Sequence, residues 1–216
     1  MQLNQYIDHT LLKPTATPAD IQILCEEAIE YQFFAICIPP SYIQLAKSVL
    51  KTSGVKIATV IGFPLGAMTT KAKAFEAKDA LTKGADEIDM VINIGMLKAG
   101  DTDYIEKEIG EIKEAIGSKI LKVIIETCYL TDSEKEAACR AALNAKADFV
   151  KTSTGFGTAG ATFDDVKLMK KIASDKMQIK ASGGIRNRET AVKYIDMGVS
   201  RLGTSSGIKL VTSKDN

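Results

Sequence analysis

The chain has 216 residues, of which 45% are hydrophobic and 25% are charged, and 28 Lys and Arg residues nearly balance 27 Asp and Glu residues. This composition is typical of a globular protein and excludes a disordered or fibrous chain. A net charge of +1 offers no broad electrostatic footprint for nucleic acid or for an anionic membrane. No apolar run approaches the roughly 18 residues of a membrane span, and the N-terminus lacks the basic start and apolar stretch of a signal peptide. We therefore expect a cytoplasmic protein.

Cysteine and histidine are too scattered to build a metal centre. Cys25, Cys37, Cys128 and Cys139 form no C-x-x-C pair, so we expect reduced thiols and no disulfide framework. His9 is the only histidine, whereas zinc and iron sites usually recruit several imidazoles or clustered thiolates. A Ser-His-Asp hydrolase would also have to use His9, and no nucleophile elbow lies near it. We expect neither a metal nor another cofactor.

Short apolar segments alternate with helical patterns along the whole chain. Helix starts are indicated by Thr17 with Pro18 and Asp20, and by the capping-box patterns of residues 131–134 and 162–165. Apolar residues Ala72, Phe75, Ala80 and Leu81 predict a helix over residues 71–83, which Gly84 ends. Eight segments have the length and composition of buried strands, namely residues 7–11, 34–38, 57–61, 86–92, 120–126, 148–151, 178–181 and 200–203.

These eight strand–helix units, about 27 residues each, predict one α/β domain over residues 1–216, a TIM (β/α)8 barrel. A doubly wound parallel sheet is the competing architecture. That fold usually has a glycine-rich turn after its first strand, and residues 11–15 contain no glycine. The even spacing favours the barrel.

Charged residues interrupt the ends of several predicted strands. Alternation along the strands can place Asp89, Glu126, Lys151 and Lys180 all facing the barrel axis, at the end where barrel active sites lie. A single inward charge is as readily a structural residue satisfied by a neighbour, but four at one end favour function. Two lysines on adjacent strands are the more informative pair, because a nearby cation and apolar surroundings both lower the pKa of an amine.

A neutral amine can attack a carbonyl, and the resulting iminium is an electron sink that allows an adjacent carbon–carbon bond to be broken or made. Asp89 could relay protons directly or through water. The pattern therefore predicts a Schiff-base lyase, and by itself leaves open whether Lys151 or Lys180 is the nucleophile.

Two glycine-rich loops follow the last two predicted strands. Ser182-Gly183-Gly184 and the segment 203–207 occupy the positions where barrels often bind phosphate through backbone N–H groups. The hydroxyl groups of Ser205 and Ser206 add donors. Two ordinary tight turns would explain the same pattern. If the loops do bind phosphate, the substrate is a small phosphorylated carbonyl compound.

Six motifs, in this order along the chain, resemble the deoxyribose-phosphate aldolase family. They are I-D-H-T-L-L at 7–12, V-I-G-F-P at 60–64, D-E-I-D-M-V at 86–91, V-I-I-E-T at 123–127, V-K-T-S-T-G at 150–155 and I-K-A-S-G-G at 179–184. The resemblance runs from Ile7 to Gly207 and implies a class I aldolase. Such an enzyme reversibly cleaves 2-deoxy-D-ribose 5-phosphate to D-glyceraldehyde 3-phosphate and acetaldehyde.

The resemblance also implies a role for each matched residue. Lys151 becomes the Schiff-base nucleophile, Lys180 the cation that lowers its pKa, and Asp89 the proton donor and acceptor, acting with a bound water. Asp8 becomes a partner of the two lysines. The remaining implied contacts are the substrate channel, lined by Cys37 and Thr154, and the phosphate site of Gly155, Gly183, Gly184, Ser205 and Ser206.

The chain departs from part of the family at its C-terminus. Some members end in a tail with a terminal tyrosine that is thought to assist proton transfer, and no tyrosine follows Tyr194 here. The family also makes a homodimer the first expectation. Two rival functions stay open, a phosphosugar isomerase or cyclising barrel and a non-catalytic phosphometabolite-binding barrel. Neither needs Lys151, Lys180 and Asp89 together.

Overall fold

Eight parallel strands close into a barrel in chain order, with the last strand pairing with the first. The computed structural model describes residues 2–213. Both the barrel and the order of its strands confirm the prediction, and every strand begins and ends within two residues of its predicted bounds. The strands are β1 (Ile7–Thr10), β2 (Ala35–Ile38), β3 (Lys56–Ile61), β4 (Glu87–Val91), β5 (Ile120–Ile124), β6 (Phe149–Lys151), β7 (Gln178–Ser182) and β8 (Arg201–Thr204).

Helices connect successive strands and form the outer layer. They are α1 (Pro18–Glu30), α2 (Ile43–Leu50), α3 (Thr70–Lys83), α4 (Ile94–Lys98), α5 (Thr102–Ile116), α6 (Asp132–Asn144), α7 (Phe163–Ala173), α8 (Arg188–Asp196) and α9 (Gly207–Thr212). None of those in the described part of the chain is long and apolar enough to cross a membrane. The predicted domain bounds and the C-terminal tail extend to Met1 and residues 214–216, which lie outside the described residues.

The predicted helix starts are confirmed by their capping hydrogen bonds. The Thr17 hydroxyl accepts from the backbone N–H of Asp20, and the Asp20 carboxylate accepts from the N–H of Thr17, which completes a capping box. Thr131 forms the same reciprocal arrangement with the third residue of α6. At the other end of a helix, Gly84 ends α3 with a φ of +111°, a conformation that favours glycine.

Helix α3 was predicted correctly, but its apolar positions only partly define its buried face. Ala80 is buried, whereas Phe75 is 74% exposed and Ala72 is also exposed. The buried residues of α3 are Lys73, Ala77 and Ala80. A buried lysine is accommodated because the Lys73 ammonium donates to Glu108 of α5 at 2.7 Å and to the Val91 carbonyl at 2.8 Å.

The strands place apolar side chains against the helices and a set of charged side chains inside the barrel. His9 and Asp8 illustrate the alternation. The His9 ring packs on Phe33, 4.9 Å between centroids, and its Nε2 lies 2.7 Å from a carboxylate oxygen of Glu27 in α1. Asp8 points the other way, to Lys180 and Arg201. The two neighbours therefore do not form a dyad.

Candidate active site

A cluster of lysine amines surrounds one carboxylate inside the barrel. Lys151 and Lys180 are register partners on β6 and β7, so their side chains emerge side by side. The Nζ atoms of both lysines lie 2.7 Å from Oδ2 of Asp89 on β4. The side chains of Lys180 and Asp89 are fully buried, and that of Lys151 is 3% exposed. Three of the four predicted inward charges therefore meet at one point.

A third lysine, which the sequence had not singled out, completes the cluster. Lys122 is the register partner of Asp89 on β5 and donates to its Oδ1 at 2.8 Å. It also pairs with Glu87 at 2.5 Å. On the other side of the cluster, Asp8 forms an ion pair with Lys180, as the family resemblance implied.

The electrostatic environment separates the two lysines on β6 and β7. Burial lowers the pKa of Lys151, and the Lys180 cation lowers it further, although the Asp89 carboxylate opposes both effects. Burial acts on Lys180 in the same direction, but Asp8 and Asp89 outweigh it and raise its pKa. Burial opposes ionisation of Asp89 as well, yet Lys122, Lys151 and Lys180 hold its pKa well below the ordinary value. The cluster thus separates the two lysines, because it lowers the pKa of Lys151 and raises that of Lys180.

Glu126, the fourth predicted inward charge, does not contact the lysines. It follows β5 with a left-handed backbone, φ +53°, and its carboxylate turns to the loop after β6. There it accepts from the Thr154 backbone N–H, at 3.2 Å to each oxygen, and from the Thr154 hydroxyl. Burial raises the pKa of Glu126. Its contacts fix the position of Thr154.

A cavity of about 360 Å³ opens at the carboxyl ends of the strands, above the cluster. Gly183 and Gly184 both have positive φ, +84° and +79°, and follow β7 at its rim. Two cationic residues that the sequence reading did not single out, Lys13 and Arg186, also line it. The predicted residues in its wall are Lys151, Thr154, Gly155, Gly183, Gly184, Ser205 and Ser206.

Asp8 and Cys37, the two other residues predicted to surround the substrate, are fully buried and are not part of this wall. Asp8 lies beside Lys180, as described above. Cys37 packs with Ala58 and Val60 on the neighbouring strand, and Leu12 and Phe63 cover this small group. Burial raises the pKa of the Cys37 thiol. The structure thus places both residues behind the wall of the cavity.

Arg186 could have been found from the sequence, since it comes two residues after the Gly183-Gly184 pair. Lys122 carried a weaker signal. It lies on β5 among apolar residues, and only the register with Asp89 shows what it contacts.

A closed parallel barrel with buried amines and a carboxylate below its open mouth is the architecture of a (β/α)8-barrel enzyme. A family model described as DeoC/LacD family aldolase matches residues 3–209. The chain belongs to this family of aldolases, which are carbon–carbon lyases.

Similar proteins agree with that assignment over their full length. The chain is 58% identical over 211 residues to a deoxyribose-phosphate aldolase of Finegoldia magna, covering 98% of this chain and 99% of the relative. It is 55% identical to that of Thermococcus gammatolerans, covering 100% and 98%. A tetrameric deoxyribose phosphate aldolase from Aeropyrum pernix has a similar structure, with a TM-score of 0.90, 34% identity and coverage of 97% and 89%.

Proposed function

We propose that this enzyme reversibly cleaves 2-deoxy-D-ribose 5-phosphate to D-glyceraldehyde 3-phosphate and acetaldehyde, with Lys151 as the Schiff-base nucleophile. One observation carries the choice of lysine. Of the three amines around Asp89, that of Lys151 belongs to a residue in the wall of the mouth cavity, whereas Lys122 and Lys180 are fully buried. The buried pair can tune the reactive amine but has no path to a substrate carbonyl.

The proposed reaction begins with attack of the neutral Lys151 amine on the C1 aldehyde of the open-chain sugar. Loss of water gives an iminium, which withdraws the electron pair of the C2–C3 bond as the C3 hydroxyl gives up its proton. Glyceraldehyde 3-phosphate departs and leaves an enamine on Lys151. Protonation at C2 and hydrolysis then release acetaldehyde and restore the amine.

Asp89 is the proposed proton donor and acceptor in these steps, acting through a bound water. The carboxylate lies 2.7 Å from the Lys151 nitrogen, within reach of a proton carried to or from the adduct. Lys180, held as a cation by Asp8 and Asp89, lowers the pKa of Lys151 and contributes positive charge below the adduct.

The proposed phosphate site is the far end of the same cavity. Backbone N–H groups of Gly155, Gly183 and Gly184 and the hydroxyls of Ser205 and Ser206 supply uncharged donors. Lys13 and Arg186 add positive charge at the rim. Thr154, held by Glu126, lines the path between the phosphate and the amine, whereas Cys37 is buried and does not line the cavity.

The same proposal covers assembly and location. We expect a homodimer in the cytoplasm, and the exposed apolar side chains of Leu65 (73%) and Phe75 (74%) are candidates for contact with a second copy. Sedimentation velocity of the purified protein would decide between a monomer, a dimer and a tetramer.

Borohydride trapping tests the nucleophile directly. The enzyme is reduced in the presence of deoxyribose 5-phosphate or acetaldehyde, and the peptides are mapped by mass spectrometry. We expect the reduced adduct on Lys151 and its loss in Lys151→Leu, together with turnover. Lys167→Leu, at a lysine whose side chain is 70% exposed on α7, is the control that keeps both.

Each other outcome has a definite meaning. An adduct on Lys180 would keep the aldolase and reverse the roles of the lysines. The absence of any adduct would favour an acid–base isomerase or a binding barrel, and near-normal activity of Lys151→Leu would refute the assignment of the nucleophile.

A further inference from the structure

Below the reactive lysine, six charged side chains form a closed ring inside the barrel, which we call the interior ring. Each member contacts the next, and the last contacts the first. The order is Asp89, Lys122, Glu87, Arg201, Asp8, Lys180 and back to Asp89. No member is more than 5% exposed.

The contacts at the lower side of the interior ring are all within hydrogen-bond distance. Arg201 donates to Glu87 through two nitrogens, at 3.2 and 3.0 Å, and its Nε donates to Asp8 at 2.7 Å. Its guanidinium also lies over the Phe34 ring, 3.7 Å from the centroid. Glu87 and Arg201 line a cavity at the amino ends of the strands, opposite the mouth. Neither contacts Lys151.

Three anions and three cations make the interior ring electrically neutral when all six are ionised. Lys151 is attached to it from outside, through Oδ2 of Asp89, which Lys180 already shares. A Lys151 ammonium would therefore be a fourth cation facing three buried anions. An uncompensated charge in a buried site is strongly disfavoured, so the ring leaves no anion for that proton.

We propose that Arg201 and Glu87 act as positioning residues for catalysis: they keep the interior ring neutral from the end opposite the mouth, and so keep Lys151 unprotonated. The inference rests on the proposed role of Lys151 as the nucleophile. It assigns a part in the reaction to two residues at the amino ends of β8 and β4 that no substrate touches.

Several charged and titratable groups face Lys151. Four of them are ring members, namely Lys122 and Lys180 on the adjoining strands β5 and β7, Asp89 on β4 and Asp8 on β1. The others are Cys37 on β2 and Glu126 after β5. Burial raises the pKa values of both Cys37 and Glu126, which disfavours their anionic forms. The Cys37 thiol is therefore neutral at neutral pH, and the Glu126 carboxylate is bound to Thr154 and contacts none of the lysines. The counter-charge that contacts Lys151 belongs to the ring.

The alternative is that Arg201 and Glu87 only tie strands together. The two explanations differ in the sign of a pH effect. In Arg201→Met the ring carries one net negative charge, which a proton on Lys151 can neutralise. In Glu87→Gln it carries one net positive charge, which makes that proton still less favourable. A purely structural role would reduce activity in both variants without moving the pH dependence in opposite directions.

The test is the acid limb of the pH profile of kcat/KM, measured on the full-length enzyme with deoxyribose 5-phosphate. We expect the acid limb to move to higher pH by about one unit in Arg201→Met. In Glu87→Gln it should move to lower pH by a similar amount. The double variant Arg201→Met/Glu87→Gln is neutral again, and its limb should return to the wild-type position. Arg201→Lys keeps the charge and should leave the limb in place.

A second readout and a control distinguish a shift of the acid limb from a loss of protein stability. The pH dependence of the borohydride-trapped adduct on Lys151 should shift with the kinetic limb. Lys73→Met disrupts another fully buried ion pair, between α3 and α5, and should lower the thermal midpoint without moving the limb. If Arg201→Met fails to fold, Glu87→Gln and the double variant still carry the test.

The inference would be overturned if the acid limb stayed in place in both single variants, or moved in the same direction in both. Either result would leave the proposed function intact. Failure of the proposed function would be seen separately, as wild-type enzyme that gives no adduct on Lys151.

Discussion

Asp89 is the residue on which the proposed chemistry depends most, because one carboxylate binds three lysines. Its two oxygens lie 2.7 to 2.8 Å from the nitrogens of Lys122, Lys151 and Lys180. These neighbours hold its pKa well below the ordinary value although the group is buried. At neutral pH Asp89 is therefore a carboxylate in contact with three lysine nitrogens.

Asp89→Asn keeps the size of the side chain and removes its charge. We expect turnover to fall at least about 100-fold, because the proposed proton donor and acceptor is lost. The free energy of unfolding should fall by roughly 3 kcal/mol, because buried cations lose a counter-charge. Steady-state kinetics and urea denaturation measure the two effects. Asp79→Asn, at an exposed ion pair on α3, is the control and should change the stability by less than about 1 kcal/mol. Retained turnover in Asp89→Asn would remove Asp89 from the mechanism.

The sequence was sufficient to find the residues at the upper side of the cluster but not their partners. Asp89, Lys151 and Lys180 stand out because each is a charge in an apolar strand, and because the two lysines fall on consecutive strands. Lys122 and Arg201 are charges in strands too. Their significance depends on the pairing of β4 with β5 and of β7 with β8, which aligns Asp89 with Lys122 and Lys180 with Arg201. One amino-acid sequence does not reveal which residues of two strands that are far apart in sequence become register partners.

At the scale of elements, the loop after β6 supports the loop after β7. The backbone N–H of Ala161 donates to the carbonyls of Ser182 and Gly183, at 3.0 and 3.2 Å. Gly160 packs so closely that a Cβ there would lie 2.2 Å from the Gly183 carbonyl oxygen. The shape of the proposed phosphate loop therefore depends on a glycine outside it, which the sequence reading did not single out.

Gly160→Ala should displace Gly183 and weaken binding of the substrate phosphate. We expect KM for deoxyribose 5-phosphate to rise about tenfold, equivalent to about 1.4 kcal/mol, with a much smaller change in turnover of a substrate without phosphate. Gly110→Ala is a matched control, since a Cβ at Gly110 on α5 meets no atom within 4 Å. It should leave KM unchanged and stabilise the helix by about 0.5–1 kcal/mol. Equal kinetics in the two variants would show that Gly160 does not support the phosphate site.

The helices show which part of an element the sequence determines. Local signals such as the Thr17 and Thr131 capping boxes act within one turn, and the predicted starts are correct. The buried face of α3 is different, because it depends on Glu108, which lies on α5. Lys73 is therefore buried although it is charged, whereas Phe75, one of the apolar positions that predicted the helix, is exposed.

At the scale of the whole molecule, the barrel encloses charge where an apolar core would be expected. Even spacing of the strand–helix units was enough to predict closure, since a right-handed crossover after every strand brings the eighth strand back to the first. The interior ring could not be predicted in that way, because it joins residues from five strands. Its burial makes the stability of the fold depend on ionisation.

The acid stability of the protein follows from the two aspartates of the ring. Burial opposes ionisation of Asp8, but Lys180 and Arg201 lower its pKa from 3.8 to about 2, and the pKa of Asp89 is also well below its ordinary value. The unfolded chain therefore binds protons near pH 4 that the folded chain does not yet bind. The stabilisation is fully present above that pH and is lost as the pH falls from about 4 toward 2.

We expect urea denaturation midpoints to fall steeply below pH 4 and to change less between pH 6 and pH 4. Burial raises the pKa values of Glu108 and Glu126, so the folded state takes up protons there before the unfolded state does, which offsets part of the loss in the upper range. In Asp8→Asn the midpoint should be lower at pH 7, and its decline below pH 4 should be shallower, because one low-pKa carboxylate is gone. A wild-type midpoint at pH 3 equal to that at pH 7 would mean that the ring does not hold its aspartates ionised. The inference that a neutral ring keeps Lys151 unprotonated would then be wrong.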